Sequence, residues 1–125
     1  MLRCLIVDDS SQFLAAARAW LERQGIAVVG VASTGAQALE QTMELHPDVV
    51  LVDIDLGDES GFNVADQLQQ HAGIDSPRVI LISAYAEEDY AELIAASSAV
   101  GFLSKTALSG RRIRQLLEDE AGQRA

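Results

Sequence analysis

The sequence predicts an α/β domain, a parallel sheet with helices on both faces, and three observations carry that prediction. Five short, apolar, β-rich runs alternate with stretches of helical period along the chain. One of those runs, residues 49–54, is almost wholly apolar and rich in β-branched side chains, as a strand covered on both faces requires. The 125 residues, 49% of them hydrophobic, suit one domain with one core that needs no disulfide or structural metal.

Residues 2–7 read as the first strand, and Leu14, Ala17 and Leu21 then recur at helical spacing. Gln24-Gly25 closes that helix, glycine suiting the position after a C-terminus. Residues 26–32 form the second strand. Thr34-Gly35-Ala36-Gln37 has the form of a capping box and opens a helix that runs to about Leu45, before His46-Pro47. After the strand at 49–54, a loop at 55–60 leads into a helix from Gly61 to about Gln70. Asp75-Ser76-Pro77 signals a turn, 78–83 the fourth strand, 87–97 a helix and 101–104 a short fifth strand. Ile113, Leu116 and Leu117 give the last helix its inward stripe. Such strict alternation implies a parallel sheet with right-handed crossovers. Residues 1–120 read as one domain and 121–125 as a tail or the start of a linker.

Charge and cysteine usage narrow the function classes. Nine Lys and Arg against nineteen Asp and Glu give a net charge of −10. Duplex binding depends on cations that neutralise phosphates, so direct nucleic-acid binding by this chain is not expected. No stretch approaches the roughly 20 apolar residues of a membrane span, and no secretory signal is visible, which points to the cytoplasm. The lone Cys4 lies in an apolar run and reads as an inert core thiol.

In open parallel sheets, ligands sit beyond the carboxyl ends of the strands. Asp8-Asp9 follow the first strand, Asp53 lies at the end of the third, Ser83 ends the fourth and Lys105 follows the fifth. Three carboxylates this close repel: at about 4 Å and an effective dielectric near 20, each ionised pair costs roughly 4 kcal/mol. Either a proton is retained or a cation binds. An all-oxygen donor set, with no His or Cys in it, suits Mg²⁺, with Mn²⁺ as the alternative. A carboxylate beside such an ion can attack phosphorus and form an aspartyl phosphate. The ion would take one phosphoryl oxygen, the Lys105 ammonium another, and the Ser83 hydroxyl could donate to a third.

On these residues the chain resembles the receiver domain of two-component response regulators over essentially its full length. Asp8-Asp9, Asp53, Gly61, Ser83-Ala84, Phe102 and Lys105 occupy the family's positions at the family's spacings. The resemblance implies a flavodoxin-like three-layer fold with a five-stranded sheet of order 2-1-3-4-5 and five helices. It implies a self-catalysed phosphoryl switch rather than a turnover enzyme, with Asp53 accepting from a phosphohistidine on a sensor histidine kinase or a histidine phosphotransfer protein. Asp9 and Asp53 would bind the metal directly, Asp8 largely through water and Asp55 through its backbone carbonyl. Phosphorylation would draw Ser83 toward the phosphoryl group and let Phe102 turn inward. The face formed by the fourth helix, fifth strand and fifth helix would change in consequence, to control an output domain, a partner protein or a homodimer.

Other residues depart from the family or read more plainly. Gly57 and Thr106 stand where the family usually has proline, so a trans Lys105–Thr106 bond is expected. Asp55 and Tyr85 hold the positions at which the family tunes loss of the phosphoryl group. The run Gly101-Phe102-Leu103-Ser104-Lys105-Thr106 resembles the receivers often joined to a DNA-binding helix-turn-helix, a module that does not fit within this chain. Taken alone, Asp8 and Asp9 would be helix caps. His46 and His71 read as solvated residues at helix ends, Phe13 and Trp20 as packing residues. Arg111, Arg112 and Arg114 read as a solvated face that could also meet a partner.

Three other classes compete. Asp53-Ile54-Asp55 superficially matches the nucleophile motif of haloacid dehalogenase-type phosphohydrolases, which would turn over phosphomonoesters, but there the motif ends the first strand and the acidic pair comes last. A flavodoxin-like flavin binder would need a phosphate cradle where Asp8-Asp9 repel phosphate. A receiver-like interaction module would bind partners without phosphorylation, and would show no phosphoryl adduct.

Overall fold

A computed structural model describes residues 1–72, 77–85 and 87–124. The chain begins with β1 (Arg3–Val7), α1 (Ser11–Arg23), β2 (Ala27–Ala32), α2 (Gly35–Leu45) and β3 (Val49–Asp53). A small hairpin follows, β4 (Asp55–Leu56) and β5 (Glu59–Ser60), and then α3 (Gly61–Ala72). The remainder is β6 (Arg78–Ser83), a 3₁₀ turn (Glu87–Tyr90), α4 (Ala91–Ala96), β7 (Gly101–Ser104), a second 3₁₀ turn (Lys105–Ala107) and α5 (Gly110–Arg124). The five long strands are parallel, in the order β2-β1-β3-β6-β7. Setting the hairpin aside, this is the expected flavodoxin-like order 2-1-3-4-5.

Successive side chains of a strand face opposite ways, and here that alternation divides the core in two. Cys4 and Ile6, Val49 and Leu51, and Ile80 and Ile82 pack against α1 and α5 through Leu14, Ala17, Leu21, Ile113 and Leu117. Leu5 and Val7, Val50 and Val52, and Val79 and Leu81 face α2 and α3, meeting Ala38, Val64, Ala65 and Leu68, with Ile94 of α4 beside them. Each fully buried Leu or Ile contributes about 1.5–3 kcal/mol. Cys4 is wholly buried, and burial pushes its thiol up to about 12, so it stays protonated and unreactive at neutral pH.

The caps follow the sequence closely. Gly25, at φ +82°, follows the α1 C-cap Gln24, and Thr34 Oγ1 accepts the Gln37 N–H at 3.2 Å. The capping box is not reciprocal, because Gln37 Oε1 accepts from the Ser33 N–H instead of that of Thr34. His46 sits in the left-handed region at the end of α2, exposed as expected. The chain has no cis peptide bond among the described residues, so Lys105–Thr106 is trans.

Several expectations change. The loop at 55–60 contains the β4–β5 hairpin, which pairs Asp55 with Ser60 and Leu56 with Glu59. Helix α4 is shorter than the predicted 87–97: its first turn is 3₁₀, it has no side-chain cap, and none of its residues is fully buried. Trp20 lies on the outer side of α1 and is 43% exposed, because Ala17 and Leu21 take the inward positions. Backbone helix continues through 121–124, the residues read as a tail or the start of a linker. The turn at Asp75-Ser76 and the side chain of His71 lie outside the described residues.

Candidate functional site

The carboxyl ends of β1, β3, β6 and β7 bring the predicted residues to one edge of the sheet. Asp8, directly after β1, is wholly buried. Its Oδ1 accepts the Ser10 N–H at 2.8 Å. Ser10 in turn caps α1, with its hydroxyl accepting from the Phe13 N–H at 3.2 Å. The cap of α1 is therefore Ser10, and Asp8 and Asp9 are left for other work. Asp8 Oδ2 lies 2.6 Å from Lys105 Nζ, close enough for an ion pair but off the angle of a hydrogen bond.

Asp53 ends β3 and is 5% exposed. Its two oxygens are held separately: Oδ1 accepts the Asp55 N–H at 3.1 Å, and Oδ2 accepts from Lys105 Nζ at 3.1 Å. Burial raises the Asp53 pKa and the neighbouring Asp8 charge adds to that; the Asp55 N–H and Lys105 oppose them without reversing the shift. For Lys105, burial works to lower the pKa, but Asp8 and Asp53 together outweigh it and the ammonium is held above its ordinary value. Lys105 reaches inward from the second 3₁₀ turn, whose N-cap is Ser104.

Ser83 ends β6 beside Ser104 of β7 and is buried. Its Oγ accepts the Tyr85 N–H at 3.0 Å, so its own O–H remains to donate. The Tyr85 ring is 60% exposed. Asp9, Asp53, Asp55, Ser83, Tyr85 and Lys105 line one cleft of about 280 Å³, together with Gly57 and Ala84. Gly57 has φ +70°, a conformation glycine adopts without cost, and a Cβ there would lie 3.5 Å from Asp9 Oδ2. Gly61 is needed for a different reason: a Cβ would run into the Asp53 carbonyl and come within 2.7 Å of Ile54 Cα.

Asp8, Asp9 and Asp53 each offer an oxygen, and these oxygens lie within 4.8 Å of one another, a spacing one divalent cation could bridge. The donor chemistry fits a hard cation: the set is all-oxygen, three carboxylates sharing the one Lys105 ammonium.

Phe102 does not line the cleft. It is 9% exposed and packs in the layer that includes Ile94 and Tyr90. Two neighbours of the site escaped sequence reasoning. Phe13 packs on the core as expected, and its ring also lies under the Lys105 ammonium, 4.4 Å from centroid to Nζ. Glu59 Oε1 accepts the Gly35 N–H at 3.0 Å, tying the hairpin to the start of α2. Only tertiary placement creates either contact.

The family description "Response regulator receiver domain" matches residues 4–118. The chain belongs to that family and is a receiver domain of two-component signalling, a class of phosphorylation-switched domains rather than turnover enzymes. It is 32% identical over 106 residues to the transcriptional regulatory protein YvfU of Bacillus subtilis, covering 84% of this chain and 52% of that protein. It is 36% identical over 118 residues to protein-glutamate methylesterase/protein-glutamine glutaminase 5 of Myxococcus xanthus, covering 92% of this chain and 33% of that one. The chain thus spans about half the length, or less, of these curated relatives. Among solved structures, the signal receiver domain of the putative response regulator NarL from Mycobacterium tuberculosis superposes with a TM-score of 0.80 at 30% identity, covering 97% of each chain. The response regulator domain of Thermotoga maritima CheB gives 0.76 at 29%, covering 98% of this chain and 95% of that one. No helix among the described residues is long and apolar enough to cross a membrane.

Proposed function

We propose that this chain is a phosphoryl-accepting switch and that Asp53 is the acceptor. The observation that carries the proposal is the state of that carboxylate: buried at a strand end, one oxygen on the Lys105 ammonium, beside the Asp8–Asp9 oxygens and open to a cleft. An Asp53 oxygen attacks the phosphorus of a phosphohistidine on a sensor kinase or phosphotransfer protein. The P–O bond forms as the P–N bond breaks, and the imidazole keeps the electron pair and takes a proton from solvent.

Asp9, Asp53, the Asp55 carbonyl and, through water, Asp8 would hold Mg²⁺ or Mn²⁺, which supplies positive charge against the phosphoryl oxygens. Lys105 neutralises a second oxygen. Ser83 donates its O–H to a third, which draws it from the Tyr85 N–H and carries the change into the segment before α4. Ser83 and Phe102 are the switch residues, and Tyr85 moves as Ser83 leaves its N–H. The surface of α4, β7 and α5, which bears Arg111 and Arg112, then presents the change to an output domain, a partner protein or a second copy of the chain. Asp55 and Tyr85, at the cleft, tune loss of the phosphoryl group by water.

Incubation with Mg²⁺ and phosphoramidate, followed by intact-mass measurement, tests the proposal. One phosphoryl adduct is expected, absent without the metal and absent from Asp53→Asn. An adduct that persists in Asp53→Asn would refute it, as would no adduct in the wild-type chain.

A further inference from the structure

The proposed chemistry asks the Lys105 ammonium to stand at one place in the cleft, yet a lysine ends a flexible four-carbon stem and its charge has no fixed direction. Two carboxylates hold it, Asp8 at 2.6 Å and Asp53 at 3.1 Å. Those two compete for it, and Asp8, wholly buried, approaches more closely. A third contact helps to keep the ammonium within reach of Asp53. The ring of Phe13, on the first turn of α1, supplies it, with Nζ 4.4 Å from the centroid and inside the range over which a ring face attracts a cation. The lysine side chain is only 19% exposed, so little water competes with the ring.

The position of the ring is itself secured by the site. Phe13 lies three residues after Ser10; its N–H is the one that the Ser10 hydroxyl accepts, and the Ser10 N–H is held by Asp8. The buried acid thus fixes the turn that carries the ring, and the ring faces the cation that the acid pairs with. Phe13 also packs against the core shared by α1 and α5, which limits its rotation.

We propose that Phe13 is a positioning residue for phosphoryl acceptance, its ring face holding the Lys105 ammonium where it serves Asp53 and the incoming phosphoryl oxygen. The role rests on Asp53 being the acceptor. An aliphatic side chain of similar bulk keeps the packing and loses the attraction; tyrosine keeps both.

The test compares wild-type, Phe13→Leu and Phe13→Tyr chains by three measurements. These are the rate of adduct formation at saturating phosphoramidate and Mg²⁺, the proton chemical shifts of the Lys105 methylene next to Nζ, and the thermal midpoint. Phe13→Leu is expected to slow acceptance about three- to thirtyfold, the span that cation–ring attraction supports, and to lose the upfield ring-current shift of Lys105. Phe13→Tyr is expected to keep the rate and the shift. An unchanged rate in Phe13→Leu overturns the role. So does equal slowing in both variants, which would mark Phe13 as packing alone, and so does a Lys105 signal without the upfield shift in the wild-type chain. A wild-type chain that accepts no phosphoryl group refutes the acceptor assignment instead, and the Lys105 shift then reports the contact separately.

Discussion

Asp53 is buried with an acidic neighbour and a single cation, and its folded-state pKa is raised by that burial first and by Asp8 second. The neutral form is thus favoured by folding. The stability it gives is fully present below the unfolded carboxyl value, about 3.9, and is lost as pH rises through the higher folded value. Once ionised, Asp53 destabilises the fold, as functional groups often do. Asp53→Asn should therefore raise stability by roughly 1 kcal/mol where Asp53 is ionised, a gain that shrinks as pH falls through the raised folded value and is gone below about 4; urea titrations across pH check both the sign and the trend. Gly61→Ala should have the opposite effect, because its Cβ meets the backbone of Asp53 and Ile54 and not a side chain that can yield. A loss of about 1–3 kcal/mol is expected, with slower phosphoryl acceptance as Asp53 is pushed out of place. At this scale the sequence was largely legible: Asp8, Asp9, Asp53, Ser83 and Lys105 each sit just past or at the end of a strand, and topology alone gathers them. Phe13 was not, since nothing local distinguishes a ring that packs from a ring that also faces a cation.

Among the elements, the β4–β5 hairpin joins the site to the rest of the fold. Asp55 at its start gives its N–H to Asp53, and Glu59 at its end holds the first N–H of α2. A carboxylate there both satisfies an orphan donor and complements the helix dipole. Glu59→Ala should cost about 1 kcal/mol, of which Glu59→Gln restores the hydrogen-bonding part, as measured by denaturant midpoints. The hairpin was invisible in the sequence because two-residue strands carry no period. The caps of α1 and α2 were legible in part: Gly25 and Thr34 act as their residue types predict, whereas Ser10 takes the capping position that Asp8 or Asp9 could have filled. The shortening of α4 has a tertiary cause, since a helix that buries no residue fully has little packing to extend it.

For the whole molecule, a sheet covered on both sides makes a rigid platform whose one polar edge carries mutual repulsion. Four carboxylates, Asp8, Asp9, Asp53 and Asp55, face one ammonium there. A divalent cation should relieve that repulsion and bind the folded state alone, so Mg²⁺ is expected to raise the thermal midpoint in proportion to RT ln(1 + [Mg²⁺]/Kd), and Asp9→Ala to lose most of that rise. Equal shifts in the two proteins would place the ion elsewhere. The alternating pattern of runs and helices predicted the platform correctly, because strands buried on both faces leave a continuous apolar signature; the output proposed for the switch leaves no such mark in the sequence. The central claim is that the phosphoryl group goes to one particular carboxylate among four. Borohydride reduction of the chain after incubation with Mg²⁺ and phosphoramidate, followed by peptide sequencing, reads that directly, since an acyl phosphate is reduced to an alcohol and its aspartate becomes homoserine. Homoserine at position 53 and nowhere else is the predicted result; homoserine at position 8, 9 or 55, or at none, would contradict it.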